Sequence, residues 1–199
     1  MFAELKNGDA MYKKNFNTAI LLIFKPKEAW AKLKERHEED SESFLSTYIY
    51  PFVGLIALTA FIGVLFTRKE FDVQIALKSS ILALLSMFCG FFLAAYLISE
   101  ILHTYFHRER NIKLCQRFVG YSSSLMFILN IILSLLPEFF FLRFSVLYTI
   151  YIVWEGAIPY MDVNESEQLK FVSISTALII ITPLAIEFTL SLLMPGLRL

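Results

Sequence analysis

Apolar residues in this chain fall into long blocks, and the charged positions cluster at the block edges rather than alternating through them. An α-helix rises ~1.5 Å per residue, so about twenty apolar residues in a row cross the hydrocarbon core of a bilayer. Such blocks lie at about 44–66, 79–106, 114–136, 139–158 and 169–194. No run shows the two-residue alternation of a membrane β-strand, and no internal repeat suggests an inverted-repeat transporter. The pattern therefore predicts an all-α polytopic membrane protein, a five-transmembrane-helix bundle over residues 44–195.

Residues 1–43 are expected to form a cytoplasmic N-terminal region with an amphipathic interfacial helix. NFNTAILLIF, residues 15–24, is too short to cross a membrane but suits the headgroup layer. Pro26 then opens a helix, Glu28 and Lys32 pair at i, i+4, and Trp30, Leu33 and His37 trace one face. That helix reads equally as a solvated segment with a few anchors or as a membrane-surface helix. The first sixteen residues lack the charged start, apolar stretch and cleavage site of a signal peptide, which leaves insertion to the later spans.

Within the spans, small residues mark the faces where helices approach. Gly54, Thr59 and Gly63 lie in the first span, and Tyr48 and Tyr50 sit where an interfacial aromatic belt is expected. Arg68, Lys69, Glu70 and Asp72 form a charged turn. In the second span Ser86, Gly90 and Ala94 recur every four residues, a packing stripe whose expected partner is the first span. Pro137 separates the third span from the fourth, and Pro159 ends the fourth.

Composition agrees with this reading: 57% of residues are hydrophobic, 16% are aromatic, and the mean hydropathy is +0.60, too apolar for a water-soluble domain. The formal net charge is zero and no basic patch offers itself to nucleic acid. Cys89 and Cys115 lack metal-site spacing and read as packing residues. Charge placement is more informative. With the N-terminus inside, thirteen of the 18 Lys and Arg residues fall on inner segments and five on outer ones, which predicts a cytoplasmic N-terminus and an outside C-terminus.

Ionisable residues in or near spans need a partner or a task. Glu100, His103 and His107 fall within about 60° of one helix face, and with Glu155 at the inner end of the fourth span they could bind a divalent metal such as zinc. The alternative is hydration and pairing with Arg110 or Arg117. Arg143 lies roughly 18 Å from Glu155 along its helix, toward the outer end, where Glu187 offers a structural ion pair. Pro183, one turn before Glu187, frees the carbonyl of Ile179 and is read as a packing feature. Ser122, Ser123 and Ser124 read as packing and hydrogen-bonding residues. No nucleophile elbow, GxGxxG, P-loop or HExxH is present, so neither an enzyme nor an organic cofactor is expected.

Four segments carry a family resemblance: LLIFKPKEAWAKL, TYIYPFVGL, RFVGYSSSL and YTIYIVWEGAIPYMDVNESEQLKFVSIS. Their order and their Pro, Trp, Gly-Tyr-Ser and Gly-Pro features resemble the Yip family, membrane proteins first named as interactors of Ypt/Rab GTPases. The resemblance spans roughly Ile20 to Pro195, with Tyr50 in place of a family Gly and Leu125 where a Pro is often found. It implies a five-helix bundle with a cytoplasmic N-terminus. The long acidic, aromatic N-terminal region of eukaryotic members has no counterpart in residues 1–43, so a bacterial-type protein of the cytoplasmic membrane without Rab partners is implied. Three functions are then open. They are non-enzymatic assembly with itself or other membrane proteins through the packing stripe, transport of an ion, proton or small solute using Glu100, Glu155 and Glu187, and metal-dependent catalysis at the inner cluster.

Overall fold

The computed structural model describes residues 2–35, 44–67 and 72–193, all of them in helices or short connections. His37, the turn residues Arg68, Lys69 and Glu70, and everything from Met194 onward lie outside the described residues. The helices are α1 (Phe2–Phe24), α2 (Pro26–Glu35), α3 (Tyr50–Thr67, entered through a π-helical turn at Leu45–Ile49), α4 (Val73–Phe106), α5 (Ile112–Ser122), α6 (Ser124–Leu135), α7 (Thr149–Met161) and α8 (Glu165–Leu193). A 3-10 segment, Pro137–Tyr148, leads into α7.

Local chemistry sets the helix ends. The Asp72 carboxylate accepts from the backbone N–H groups of Gln74 and Ile75 at 2.8 and 3.3 Å, and Asn111 accepts from Leu114 N–H at 3.0 Å, so α4 and α5 start on side-chain caps. His107 and Asp162 close α4 and α7 in the left-handed conformation, each with φ 51°. Four helical stretches, 45–66, 73–106, 137–161 and 165–193, are long and apolar enough to cross a membrane. The pair α5–α6, bent by 45°, makes a fifth when taken as one span. The third span is thus broken at Ser123, and the fourth begins as 3-10 helix rather than α-helix. No residue of that 3-10 segment is fully buried, and Leu142 and Val146 are its partly buried contacts with the core.

The central element is α4, which packs on α8, α3 and α5. At about 1.5 Å per residue its 34 residues span roughly 51 Å, well beyond a ~30 Å hydrocarbon core. The stripe Ser86, Gly90 and Ala94 is buried, and while α4 packs on the first span as expected, Gly90 meets α8. A Cβ on Gly90 would stand 2.7 Å from Pro183 Cα, and the Thr182 hydroxyl donates to the Gly90 carbonyl at 3.0 Å. At Gly90 the stripe therefore faces α8. The first span reaches α4 at another level, where Ser80 donates to the Ala57 carbonyl at 2.8 Å. Gly63 of α3 lies against the Ser134 carbonyl of α6, while Gly54 has open space where its Cβ would be.

The lead-in is docked on the bundle. In α2, Pro26, Ala29, Trp30 and Leu33 form the buried face of the amphipathic helix and pack chiefly on α7. Preceding it, α1 buries Ala19 and Leu22, and the Asn15 amide donates to the Thr47 carbonyl at 2.7 Å. Neither helix is a free surface segment. Outside the core, Leu58, Leu65, Phe66, Phe144 and Phe188 are more than half exposed, the apolar exterior that lipid contact requires.

Candidate functional site

Two ends of the bundle have different chemistry. At the end nearest the lead-in, aromatic rings meet in a continuous chain across helices. Tyr48 contacts Tyr121 (centroids 5.0 Å), Tyr121 contacts Trp30 (6.1 Å), and Trp30 contacts Tyr160 (4.9 Å) and Phe118 (5.4 Å). Phe118 continues to Phe171 (5.7 Å) and Phe171 to Phe106 (5.8 Å). Edge and tilted ring contacts of this kind add to area burial and fix relative helix positions. The Trp30 indole N–H donates to the Ile152 carbonyl at 2.9 Å, and the ring lies so close to Gly156 that a Cβ there would be 2.5 Å from Cε2. Ser124 takes a buried hydrogen bond with the Tyr48 hydroxyl at 2.6 Å and donates to the Tyr121 carbonyl at 2.5 Å, which secures the bend between α5 and α6. Trp30, Tyr48, Tyr121, Gly156 and Tyr160 come from the four segments that resemble the Yip family. Their shared place is a packing hub.

The residues expected to bind metal lie near this end but do not converge. Glu100 forms an ion pair with Arg110 at 2.9 Å. His103 donates its Nδ1–H to the Arg108 carbonyl at 3.1 Å. His107 has left the helix, since its φ of 51° turns the backbone away from the face that Glu100 and His103 share. Glu155 sits beside the Tyr151 hydroxyl one turn earlier on α7. Among the described residues, no three His, Cys, Asp or Glu side chains come close enough to hold one ion. The three-ligand face assumed a helix running through His107, and the capping geometry ends it there.

Arg108, which the sequence did not single out, has a clear task. Its guanidinium donates to the Met161 carbonyl at 3.2 Å and to the Asp162 carbonyl, meeting the unpaired acceptors at the C-terminal end of α7. Lys34 reaches the Asp162 carboxylate at 3.4 Å, so α2, α7 and the turn after α4 meet at one point.

At the far end, α3, α4, α6, the 3-10 segment and α8 surround a cleft of about 640 Å³. Leu82, Met87, Leu129, Leu133, Ile180 and Leu184 supply apolar wall, and Ser79, Asn130, Ser134 and Ser191 add polar groups. Arg143 and Glu187 both line it. The expected ion pair between them is not formed: neither side chain has an ion pair or hydrogen bond among the described residues. The Asn130 amide is held by the Met126 carbonyl at 2.8 Å. Sequence reasoning singled out Arg143 and Glu187 but missed Asn130, whose signal is an amide in the middle of an apolar block. A volume of this size suits an organic ligand, and its mixture of apolar wall and few polar groups suits an amphiphile.

The Yip1 domain family matches the chain over residues 20–186. No curated protein matches it, and no solved structure does.

Proposed function

The chain belongs to the Yip1 domain family, and from that premise we propose that it is a non-enzymatic protein of a bacterial cytoplasmic membrane that works by binding amphipathic molecules within the bilayer. The far-end cleft carries this reading, because it combines a ligand-sized volume, apolar walls and two charged groups without a partner among the described residues. The excess of Lys and Arg on the lead-in side supports a cytoplasmic N-terminus, which sets the cleft in the outer half of the membrane. The non-enzymatic part is supported by how the candidate groups are used: Arg110 holds Glu100, and Tyr48 holds Ser124.

Assembly through the stripe Ser86, Gly90 and Ala94 has lost its motive, since those residues are buried within the chain's own bundle, Gly90 against α8. Association with a second copy or with another membrane protein would use the exposed lipid-facing surfaces instead. The test of the binding reading is lipid retention. Purified protein, stripped with detergent and returned to mixed lipid, is expected to keep lipid that Ala83→Phe, which fills the cleft, does not keep; equal retention by both proteins would refute the reading.

Transport of an ion or small solute is a second reading, favoured by one observation: Glu187 lines the cleft. Glu100 and Glu155 are not among its lining residues. Solute flux in proteoliposomes that survived Glu187→Gln unchanged would count against it.

A further inference from the structure

Among the described residues the cleft is lined by one cation and one anion, and neither has a hydrogen-bond or ion-pair partner there. Charged groups near hydrocarbon are costly to leave unpaired, so a guest that satisfies both at once is favoured over one that satisfies either alone. An anionic headgroup would meet Arg143 but be repelled by Glu187. A cationic amphiphile would suffer the reverse. The geometry points to a zwitterionic phospholipid of the ethanolamine type as the occupant, with its phosphate on Arg143, its ammonium on Glu187 and its acyl chains along the apolar wall. This inference rests on the amphiphile-binding reading and adds the headgroup.

Charge type and hydrogen-bonding geometry support the assignment. A guanidinium presents paired N–H donors that match phosphate oxygens, and a carboxylate accepts from the three donors of a primary ammonium. The wall decides between a lipid and a free zwitterion in water. Leu184, which lines the cleft, is 53% exposed, and Leu82, Leu133 and Ile180 extend the same apolar surface. A headgroup-sized solute would leave that surface uncovered, whereas acyl chains cover it. The lining residues come from the C-terminal halves of α3 and α8, the N-terminal half of α4, α6 from Met126 to Ser134, and the 3-10 segment. From Met126 to Ser134 the cleft therefore runs along roughly 12 Å of α6 at ~1.5 Å per residue, which leaves depth for acyl chains below a headgroup.

The experiment uses the full chain in nanodiscs or detergent with phosphatidylethanolamine and phosphatidylglycerol of identical acyl chains, read by native mass spectrometry. Wild type is expected to prefer phosphatidylethanolamine about tenfold, the ratio that one modest charge interaction of ~1.4 kcal/mol yields. Glu187→Gln is expected to abolish the preference while lipid is still retained, because the phosphate site on Arg143 remains. Arg143→Gln is expected to weaken both lipids together. No preference in wild type, or a preference untouched by Glu187→Gln, would overturn the headgroup assignment. Displacement of bound lipid by soluble glycerophosphoethanolamine would also overturn it, by identifying a free zwitterion as the occupant. Lipid retention no greater than that of Ala83→Phe would instead refute the amphiphile-binding reading beneath it, so the two failures are distinguishable.

Discussion

The contact between Trp30 and Gly156 sets a sharp test of how the lead-in is held. The perturbation is Gly156→Ala, whose new Cβ would lie 2.5, 2.8 and 2.9 Å from Trp30 Cε2, Cζ2 and Cδ2. Ordinary carbon contacts lie at about 3.5–4.0 Å, so the ring must retreat by roughly 1 Å. It is not free to do so, because its N–H is bonded to the Ile152 carbonyl one turn before Gly156 on the same helix. Overpacking costs about 1–3 kcal/mol and loss of the hydrogen bond about 1 kcal/mol, against a helix-propensity gain of about 1 kcal/mol for alanine. The net expectation is a loss of about 1–3 kcal/mol. In a Trp30→Ala background the conflict vanishes and only the propensity gain remains, so Gly156→Ala should be neutral or stabilising by up to about 1 kcal/mol. The sign of the effect reverses between backgrounds. Reversible unfolding in mixed dodecylmaltoside and SDS micelles measures the four-protein cycle. If Gly156→Ala costs the same with and without Trp30, the docked lead-in is wrong.

Two further outcomes follow from the helix contacts. Gly90→Leu should lower the stability of the monomer by about 2 kcal/mol or more through its clash with Pro183, with no change in the crosslinked oligomer distribution; a shift in oligomers at unchanged monomer stability would restore the stripe to an intermolecular role. His107→Gly should raise stability by about 1 kcal/mol, because glycine adopts the left-handed conformation at no steric cost. Any loss of stability in that variant, followed by thermal melting, would show that the imidazole contributes beyond the backbone cap that His107 N–H makes to the Leu102 carbonyl.

The helices and their apolar faces were legible because both follow from residue spacing. Pro26 starting α2, the face of Trp30 and Leu33, and the small stripe of α4 each appear in the structure on the residues expected. Partners were less legible. A stripe of Ser86, Gly90 and Ala94 reports that something approaches closely, and nothing in its spacing distinguishes α3 from α8. The selection is made by Thr182 and Pro183, whose hydroxyl and compact ring fit the Gly90 backbone. Helix ends were also hard to place, since His107 extends a helical pattern that the left-handed cap terminates.

Arg143 and Glu187 show where one-dimensional reading stops. Depth along a helix follows from ~1.5 Å per residue, and both residues do line the same cleft. Contact does not follow from depth. The ion-pair expectation took direct pairing as the way two charges at one level avoid isolation, which holds when the space between helices is filled. Here that space is a cleft bounded by α3, α4, α6, the 3-10 segment and α8, and its volume is a property of five elements together. A spacing rule applied to any one of them cannot report it. Asn130, fixed to Met126 within an otherwise apolar helix, marks the wall of that space, and a polar residue so placed is a reason to look for a cavity before inferring a salt bridge.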